Sequence, residues 1–240
     1  MVKIITSIKN PTVADTLALK TEGTKDAFLI EGEKFINDID KKNLLKVFST
    51  DREVCEMYEK TGAECFEVSE NVLKKLSSET SRSRIVAVAK KGEAPLPEKL
   101  LLLDGIQDPG NVGTMIRTAY AFGFGVICGE GTANPFLPKA VRSTAGALCG
   151  AYVERREINA YIPYLKSEGY TVCGSALDEK AVPPKKTDGK TALVIGSEGG
   201  GMSESVAKSC DITFFILIRN VESLNAATAA GILMYELGGK

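Results

Sequence analysis

The chain has 240 residues and a mass of 25.7 kDa, with 30 basic and 31 acidic side chains, 44% hydrophobic content and a formal charge of −1. That describes one or two globular domains and excludes extended disorder or a chain-wide polycationic coat, so a polyanionic partner has to meet a local basic patch. The absence of histidine excludes more still: Ser-His-Asp and Cys-His catalysis, zinc sites with histidine ligands and imidazole acid–base chemistry all fall away.

In chain order, residues 1–10 lack the apolar core and cleavage site of a secretory signal. The longest apolar runs, such as 100–103 and 213–218, fall far short of the roughly 20 residues that span a bilayer. A cytoplasmic protein is expected, and Cys55, Cys65, Cys128, Cys149, Cys173 and Cys210, which include no Cys-x-x-Cys pair, are expected as reduced thiols packed in a core. Short apolar or β-branched runs predict strands over 27–31, 45–50, 64–68 and 84–89, separated by helices over 33–42, 53–61 and 70–76, with Ser69 capping the last. Basic and acidic residues balance at 15 each over 1–90, so charge alone does not mark a nucleic-acid surface there. The segment 90–99, Lys-Lys-Gly-Glu-Ala-Pro-Leu-Pro-Glu-Lys, has linker composition. An α/β domain over 1–90, a linker over 91–99 and a second domain over 100–240 are the expected organisation.

Beyond the linker the pattern becomes strand, Gly-rich turn, helix, repeated. Strands are predicted over 100–104, 125–128, 170–176, 191–196 and 212–218, and helices over 112–122, 138–147 and 224–237. Their near-continuous apolar character predicts strands buried on both faces, hence a mostly parallel sheet between helices. Ligands in such sheets bind where loops leave the carboxyl ends of strands, which singles out 105–111, 197–202 and 219–223. Familiar phosphate-binding patterns fail on these loops. Gly189-Lys190-Thr191 has Pro184 where a Walker A loop needs glycine, Gly123-Phe124-Gly125 is followed by Cys128 at the next required glycine, and Asp104-Gly105-Ile106 departs from the usual Gly-x-Gly methyltransferase turn.

Three other strings occur in order: Asn111-Val112-Gly113-Thr114-Met115-Ile116-Arg117-Thr118-Ala119, then Leu193-Val194-Ile195-Gly196-Ser197-Glu198-Gly199-Gly200-Gly201-Met202, then Ser223-Leu224-Asn225-Ala226-Ala227. Arg142-Ser143-Thr144-Ala145-Gly146 lies between the first two. With these motifs the chain resembles the SpoU (TrmH) family of RNA ribose methyltransferases along its whole length. Phe28-Leu29-Ile30-Glu31-Gly32-Glu33 looks like the family's substrate-binding extension, a small α/β RNA-binding domain similar to ribosomal protein L30e. One departure is Ile216-Leu217-Ile218, where family members usually carry Ile-Pro-Met.

The resemblance implies an S-adenosyl-L-methionine-dependent RNA 2′-O-methyltransferase with a C-terminal trefoil knot of the SPOUT type, working as a homodimer on a structured RNA, ribosomal rather than transfer RNA. An RNA-binding protein of the same fold without catalysis is the alternative. The implied catalytic residues are Asn111, Arg117, Glu198, Ser223 and Asn225. The donor would be held by Gly196, Ser197, Glu198, Gly201, Ile216, Leu224 and Asn225, with adenine on backbone groups around Gly196, Ile216 and Leu224. No metal is implied. Arginine, with a pKa above about 12, is a poor free base, so Arg117 is read as binding the target phosphate and stabilising the developing alkoxide, or as an exposed helix arginine. Asn111 is read as a site residue, as the N-cap of a helix starting at Val112, or as both. Glu198 either binds Asn111, orients Arg117 or serves as a first-turn carboxylate. Arg142 is read as an RNA phosphate contact or a surface ion pair. The small residues Ala226, Ala227, Ala229, Ala230 and Gly231 predict close helix packing, within the chain or between subunits. In the first domain Lys9, Lys34, Lys74, Lys75, Arg82 and Arg84 are the candidates for positioning RNA, while residues 98–240 carry all three donor motifs.

Overall fold

The computed structural model describes residues 1–21, 24, 26–78, 83–176 and 181–238, so Arg82 lies outside the described residues. The elements begin with β1 (Lys3–Ile5), α1 (Pro11–Thr21), β2 (Ala27–Glu31), α2 (Glu33–Asp38), β3 (Leu44–Ser49), α3 (Arg52–Glu59), β4 (Glu64–Val68), α4 (Glu70–Leu76) and β5 (Ile85–Lys90). They continue with β6 (Lys99–Asp104), α5 (Pro109–Ala121), β7 (Gly125–Cys128), α6 (Pro138–Thr144), β8 (Val153–Arg155), α7 (Ile158–Ser167) and β9 (Tyr170–Ser175). The chain closes with β10 (Lys190–Gly196), α8 (Glu204–Ser209), β11 (Ile212–Phe214) and α9 (Ala226–Gly238). No helix among the described residues is long and apolar enough to cross a membrane.

These elements form two compact units, residues 1–92 with 136–150, and residues 93–135 with 151–240. The first unit holds a five-stranded sheet in the order β1-β4-β3-β5-β2. β1, β4 and β3 pair in parallel, whereas β5 runs antiparallel to both β3 and β2. Its core is apolar and aromatic, with Phe48 stacked on Phe66 at 5.0 Å and Val13, Val72 and Leu76 fully buried. Ser69 stands at the cap position of α4, but its hydroxyl donates to the Thr6 carbonyl instead of accepting from the helix.

Residues 136–150, which the sequence reading puts with the second domain, pack in the first unit. Phe136 lies 6.4 Å from Phe28, and Ala140 and Val141 of α6 are buried. The Glu31 carboxylate, at the end of β2, accepts from the Ser78 amide and hydroxyl, and Arg142 of α6 reaches the same pair: its Nη1 donates to Ser78 Oγ (3.2 Å) and lies 4.0 Å from Glu31. The apolar face of a helix is legible in its spacing, but which sheet covers that face is not.

The second unit holds a six-stranded sheet, parallel throughout, in the order β11-β9-β10-β6-β7-β8. Leu100, Leu101, Leu102 and Leu103 of β6 are wholly buried, as expected of a strand covered on both faces. α5 packs against α9, with Gly231 of the last helix lying beside Thr118. The sequence reading runs the last strand to 218 and starts the last helix at 224. The structure ends β11 at Phe214 and opens α9 at Ala226, leaving residues 215–225 without regular structure. Apolarity continues to Ile218, but the partner strand β9 ends at Ser175; Phe215 still donates to the Val182 carbonyl at 3.1 Å, and beyond it residues 216–218 make no backbone hydrogen bond with described residues.

Candidate active site

The order of the parallel sheet reverses at β6. From β6 the chain builds outward through β7 to β8, then returns to lay β10 and β9 on the other side. The carboxyl ends of β6 and β10 are therefore the switch point at which open parallel sheets bind ligands. A cleft of about 380 Å³ opens there, between the loop after β6 and the loop after β10.

The first loop leads into α5. The sequence reading starts this helix at Val112 with Asn111 as its cap; the structure starts it at Pro109, and Asp108 is the cap, accepting from the Asn111 amide at 2.9 Å. Proline suits the first helical position because its φ is preset and no N–H is wasted, so Asp-Pro was the available start signal. The Asn111 carboxamide is thereby free for other partners. Its Nδ2 donates to Glu198 Oε1 at 2.8 Å, and its Oδ1 accepts from Asn225 Nδ2 at 3.1 Å.

The second loop is a closed hairpin. Ser197 and Gly201 exchange backbone hydrogen bonds at 2.9 Å each, and Gly201 takes a positive φ of 66°. A Cβ on Gly196 would stand 2.0 Å from the Gly201 carbonyl carbon, so the bare backbone of Gly196 accommodates the returning loop itself. The Ser197 hydroxyl accepts from the Gly200 amide at 3.2 Å. Asp104, at the end of β6, accepts from the Ser203 amide at 2.7 Å and ties down the loop's exit. This tie escaped the sequence reading, because it joins residues 99 apart.

Asn225 caps α9, its Oδ1 accepting from the amides of Ala227 (3.0 Å) and Thr228 (3.2 Å). The same side chain donates through Nδ2 to Glu198 Oε1 at 2.6 Å, and the Ala226 amide reaches that oxygen at 3.4 Å. Glu198 is thus no first-turn carboxylate of its own helix; it sits in the hairpin and faces the N-terminus of α9, whose dipole favours it. One of its oxygens takes three donors, while Oε2 has no partner among the described residues. Asn225 therefore both caps α9 and joins the cluster around Glu198. Asn225→Ala is expected to cost roughly 0.5–2 kcal/mol of stability as a lost cap, and in addition to weaken binding of the methyl donor that the sequence resemblance implies, or turnover, in a fully folded sample. Calorimetry and a tritiated-methyl assay check this, and parent-like values would reduce Asn225 to a cap alone.

The remaining expected residues stand apart from this cluster. Arg117 is the ninth residue of α5, exposed, and bonds to none of the described residues. The helix geometry sets it about 9 Å along the axis and about 120° around it from Asn111. Ser223 is exposed and bonds to no described residue. Ile216 and Leu224 are half-buried in the irregular segment, where Leu217 is 76% exposed and Asn220 adopts φ 67°. Residues 216–224 make no backbone hydrogen bond with described residues. Arg142 belongs to the first unit and is held there by Ser78 and Glu31. The thiols are unsuited to nucleophilic work, since burial pushes those of Cys149 and Cys173 up to about 12 and those of Cys55, Cys65 and Cys210 up to about 11.

The model of the SpoU rRNA methylase family matches residues 98–235. Over 99% of this chain and all of the other, the sequence is 37% identical to the 23S rRNA (guanosine(2553)-2′-O)-methyltransferase RlmP of Bacillus subtilis (strain 168). An AdoMet-bound rRNA methyltransferase from Sinorhizobium meliloti superposes with a TM-score of 0.82 at 28% identity, covering 98% of this chain and 97% of that one. The SpoU methyltransferase AviRb from Streptomyces viridochromogenes, in complex with AdoMet, shares the fold at 24% identity, with a TM-score of 0.78 over 95% of this chain and 97% of that one.

Proposed function

The chain belongs to the SpoU rRNA methylase family, and from that premise we propose that it transfers the methyl group of S-adenosyl-L-methionine to a ribose 2′-hydroxyl of 23S ribosomal RNA. The observation that carries this reading is the joining of three separate motifs on one carboxylate oxygen, Asn111 and Asn225 both donating to Glu198 Oε1.

The residues fit the donor. Between Ile216 and Leu224 the backbone offers amides and carbonyls that no described residue satisfies, beside half-buried aliphatic side chains, which suits the edge and faces of an adenine ring. Gly196, Ser197, Glu198, Gly201, Ile216, Leu224 and Asn225 would hold it. When bound, it supplies a methyl group activated by a sulfonium charge.

The chain's own residues do the rest. Glu198, fixed by Asn111, Asn225 and the Ala226 amide, keeps the second loop against the start of α9. Arg117 presents an uncommitted guanidinium fork, which binds the phosphate beside the acceptor and stabilises the oxyanion as the 2′-hydroxyl loses its proton. With no imidazole in the chain, that proton passes to the RNA phosphate or to water. Ser223 lies two residues before the cap of α9, within the segment that receives the donor.

The first unit is proposed as the RNA-positioning domain of the ribosomal protein L30e type, and the second unit, residues 93–135 with 151–240, as the methyltransferase domain. Lys9, Lys34, Lys74, Lys75 and Arg84 support that reading: all are exposed, and none forms an ion pair with a described residue. Arg142 would add an RNA contact only by exchanging its present partners. The chain is further proposed to be knotted and to work in the cytoplasm as a homodimer. Tyr120 of α5 and Tyr235 and Ile232 of α9 support the dimer, as they are 52%, 53% and 37% exposed on neighbouring helices.

The test is methyl transfer from tritiated S-adenosyl-L-methionine into unmodified 23S rRNA transcript, followed by mapping of ribose methylation. One modified ribose is expected. A protein that binds the donor yet labels no 23S rRNA would overturn the reading and leave a non-catalytic RNA-binding protein.

A further inference from the structure

The loop after β6, which carries Asn111 to the Glu198 cluster, is itself held by the turn after β7. The Leu103 carbonyl accepts twice: from the Gly129 amide at 2.9 Å, which extends the β6–β7 pairing by one step, and from the Thr132 hydroxyl at 2.7 Å. The same hydroxyl accepts from the Ile106 amide at 3.3 Å, and the Ile106 carbonyl accepts from the Ala133 amide at 2.8 Å. Gly105 and Gly131, with φ of 71° and 73°, let the two turns close on each other, since even a Cβ on Gly131 would stand 3.6 Å from the Gly105 Cα.

Thr132 is the one side chain in this network. It is 4% exposed, Ile106 is 2% exposed and Leu103 is wholly buried, so the bridge is made away from solvent. No other group among the described residues accepts from the Ile106 amide, and a buried donor without an acceptor is costly. A hydroxyl suits the position because one oxygen accepts from an amide while donating to a carbonyl, which no apolar side chain of the same shape does. Beyond Ile106 lies the entry to α5. Asp108, two residues on, caps the helix through the Asn111 amide, and Asn111, five residues on, gives Nδ2 to Glu198 and Oδ1 to Asn225. So short a span cannot absorb a shift of Ile106 without moving that carboxamide.

We propose, resting on the reading of the chain as an RNA 2′-O-methyltransferase, that Thr132 is a positioning residue for methyl transfer: its hydroxyl fixes the start of α5 and so sets Asn111 against Glu198 and, with the helix, places Arg117. Buried beneath the loop, it acts through Asn111 rather than on the substrates. Glu198 is held by Asn225 and the Ala226 amide as well, so the loop after β10 has supports that do not pass through Thr132. The effect of losing the hydroxyl therefore falls on turnover, not on donor or RNA binding.

The test, on the full chain, compares Thr132→Val, which keeps the shape and removes the hydroxyl, with Thr132→Ser, which keeps the hydroxyl and removes a methyl group. Both lose stability, so a purely structural role would lower the two activities alike. Thr132→Val is expected to lose roughly tenfold or more of kcat on rRNA transcript, with the KM for RNA and the S-adenosyl-L-methionine affinity within about twofold of the parent. Thr132→Ser is expected to turn over at close to the parent rate. In an Asn111→Ala background Thr132→Val is expected to cost little more, because both changes remove the same alignment. Equal losses in the two variants, full additivity with Asn111→Ala, or weakened donor affinity at unchanged kcat would overturn the proposal and leave Thr132 a core residue, while the methyltransferase reading stands. If Thr132→Val does not fold, Thr132→Ala takes its place with the same outcomes. Hydrogen exchange on the parent checks the bridge itself: the Ile106 amide is expected to exchange as slowly as the amides of β6, and exchange at the rate of an open loop overturns the proposal. A parent enzyme that methylates no rRNA overturns both.

Discussion

Replacing Arg117 by alanine is expected to lower methyl transfer to ribosomal RNA by roughly a hundredfold or more, the scale of a lost transition-state charge partner, while donor affinity and thermal stability stay near those of the parent. The structure makes this a clean experiment. Arg117 is exposed on α5 and bonds to no described residue, so its removal breaks no hydrogen bond or ion pair among the described residues. Alanine is also the better helix former. A fall in rate would therefore not come from unfolding. Lysine at this position keeps the charge but loses the planar fork, and an intermediate rate is expected of Arg117→Lys. Near-parental turnover of Arg117→Ala in a tritiated-methyl assay would remove Arg117 from the reaction.

Gly196→Ala is expected to act at the opposite end of the problem, on the frame rather than on the chemistry. The new Cβ would lie 2.0 Å from the Gly201 carbonyl carbon, 2.1 Å from the Met202 nitrogen and 2.2 Å from the Gly201 oxygen. All three are backbone atoms and cannot swing aside, so the hairpin has to open. Opening it breaks the Ser197–Gly201 pair and carries Glu198 away from Asn111 and Asn225. Overpacking of this kind costs about 1–3 kcal/mol or more, and S-adenosyl-L-methionine binding should be lost with the loop. Gly199→Ala, three residues on, meets open space and should keep the parent's melting temperature. A Gly196→Ala protein that binds the donor as well as the parent would show that the hairpin is not part of the donor site.

The residues of the cluster were legible because each lies in a short string whose chemistry is local. Asn111, Glu198 and Asn225 could all be named from the chain, whereas their convergence on a single carboxylate oxygen is a property of the parallel sheet. The start of α5 was misread at Asn111 although Asp108-Pro109 precedes it, because an asparagine beside an apolar run is also a good cap. The end of β11 was misread because hydrophobicity outlasts pairing: Ile216 and Ile218 are apolar without being in a strand. Short pieces such as β1 and β8, of three residues each, carry too little period to detect. Pro163 interrupts the pattern of α7 and hid that helix.

Because residues 136–150 complete the first unit, the chain cannot be cut once to give two whole bodies. A piece ending at Gly92 lacks the side chains of Phe136, Ala140 and Val141 that cover β2, and a piece starting at Glu98 carries those side chains with nothing to lie against. The consequence reaches into biosynthesis. At about 5–20 residues per second, Phe28 and Ile30 leave the ribosome several seconds before the segment that buries them is made. The sheet of the first unit thus waits, partly bare, for a helix encoded after β6, α5 and β7. Its final closure therefore has to wait until the first two strands of the second unit have been made.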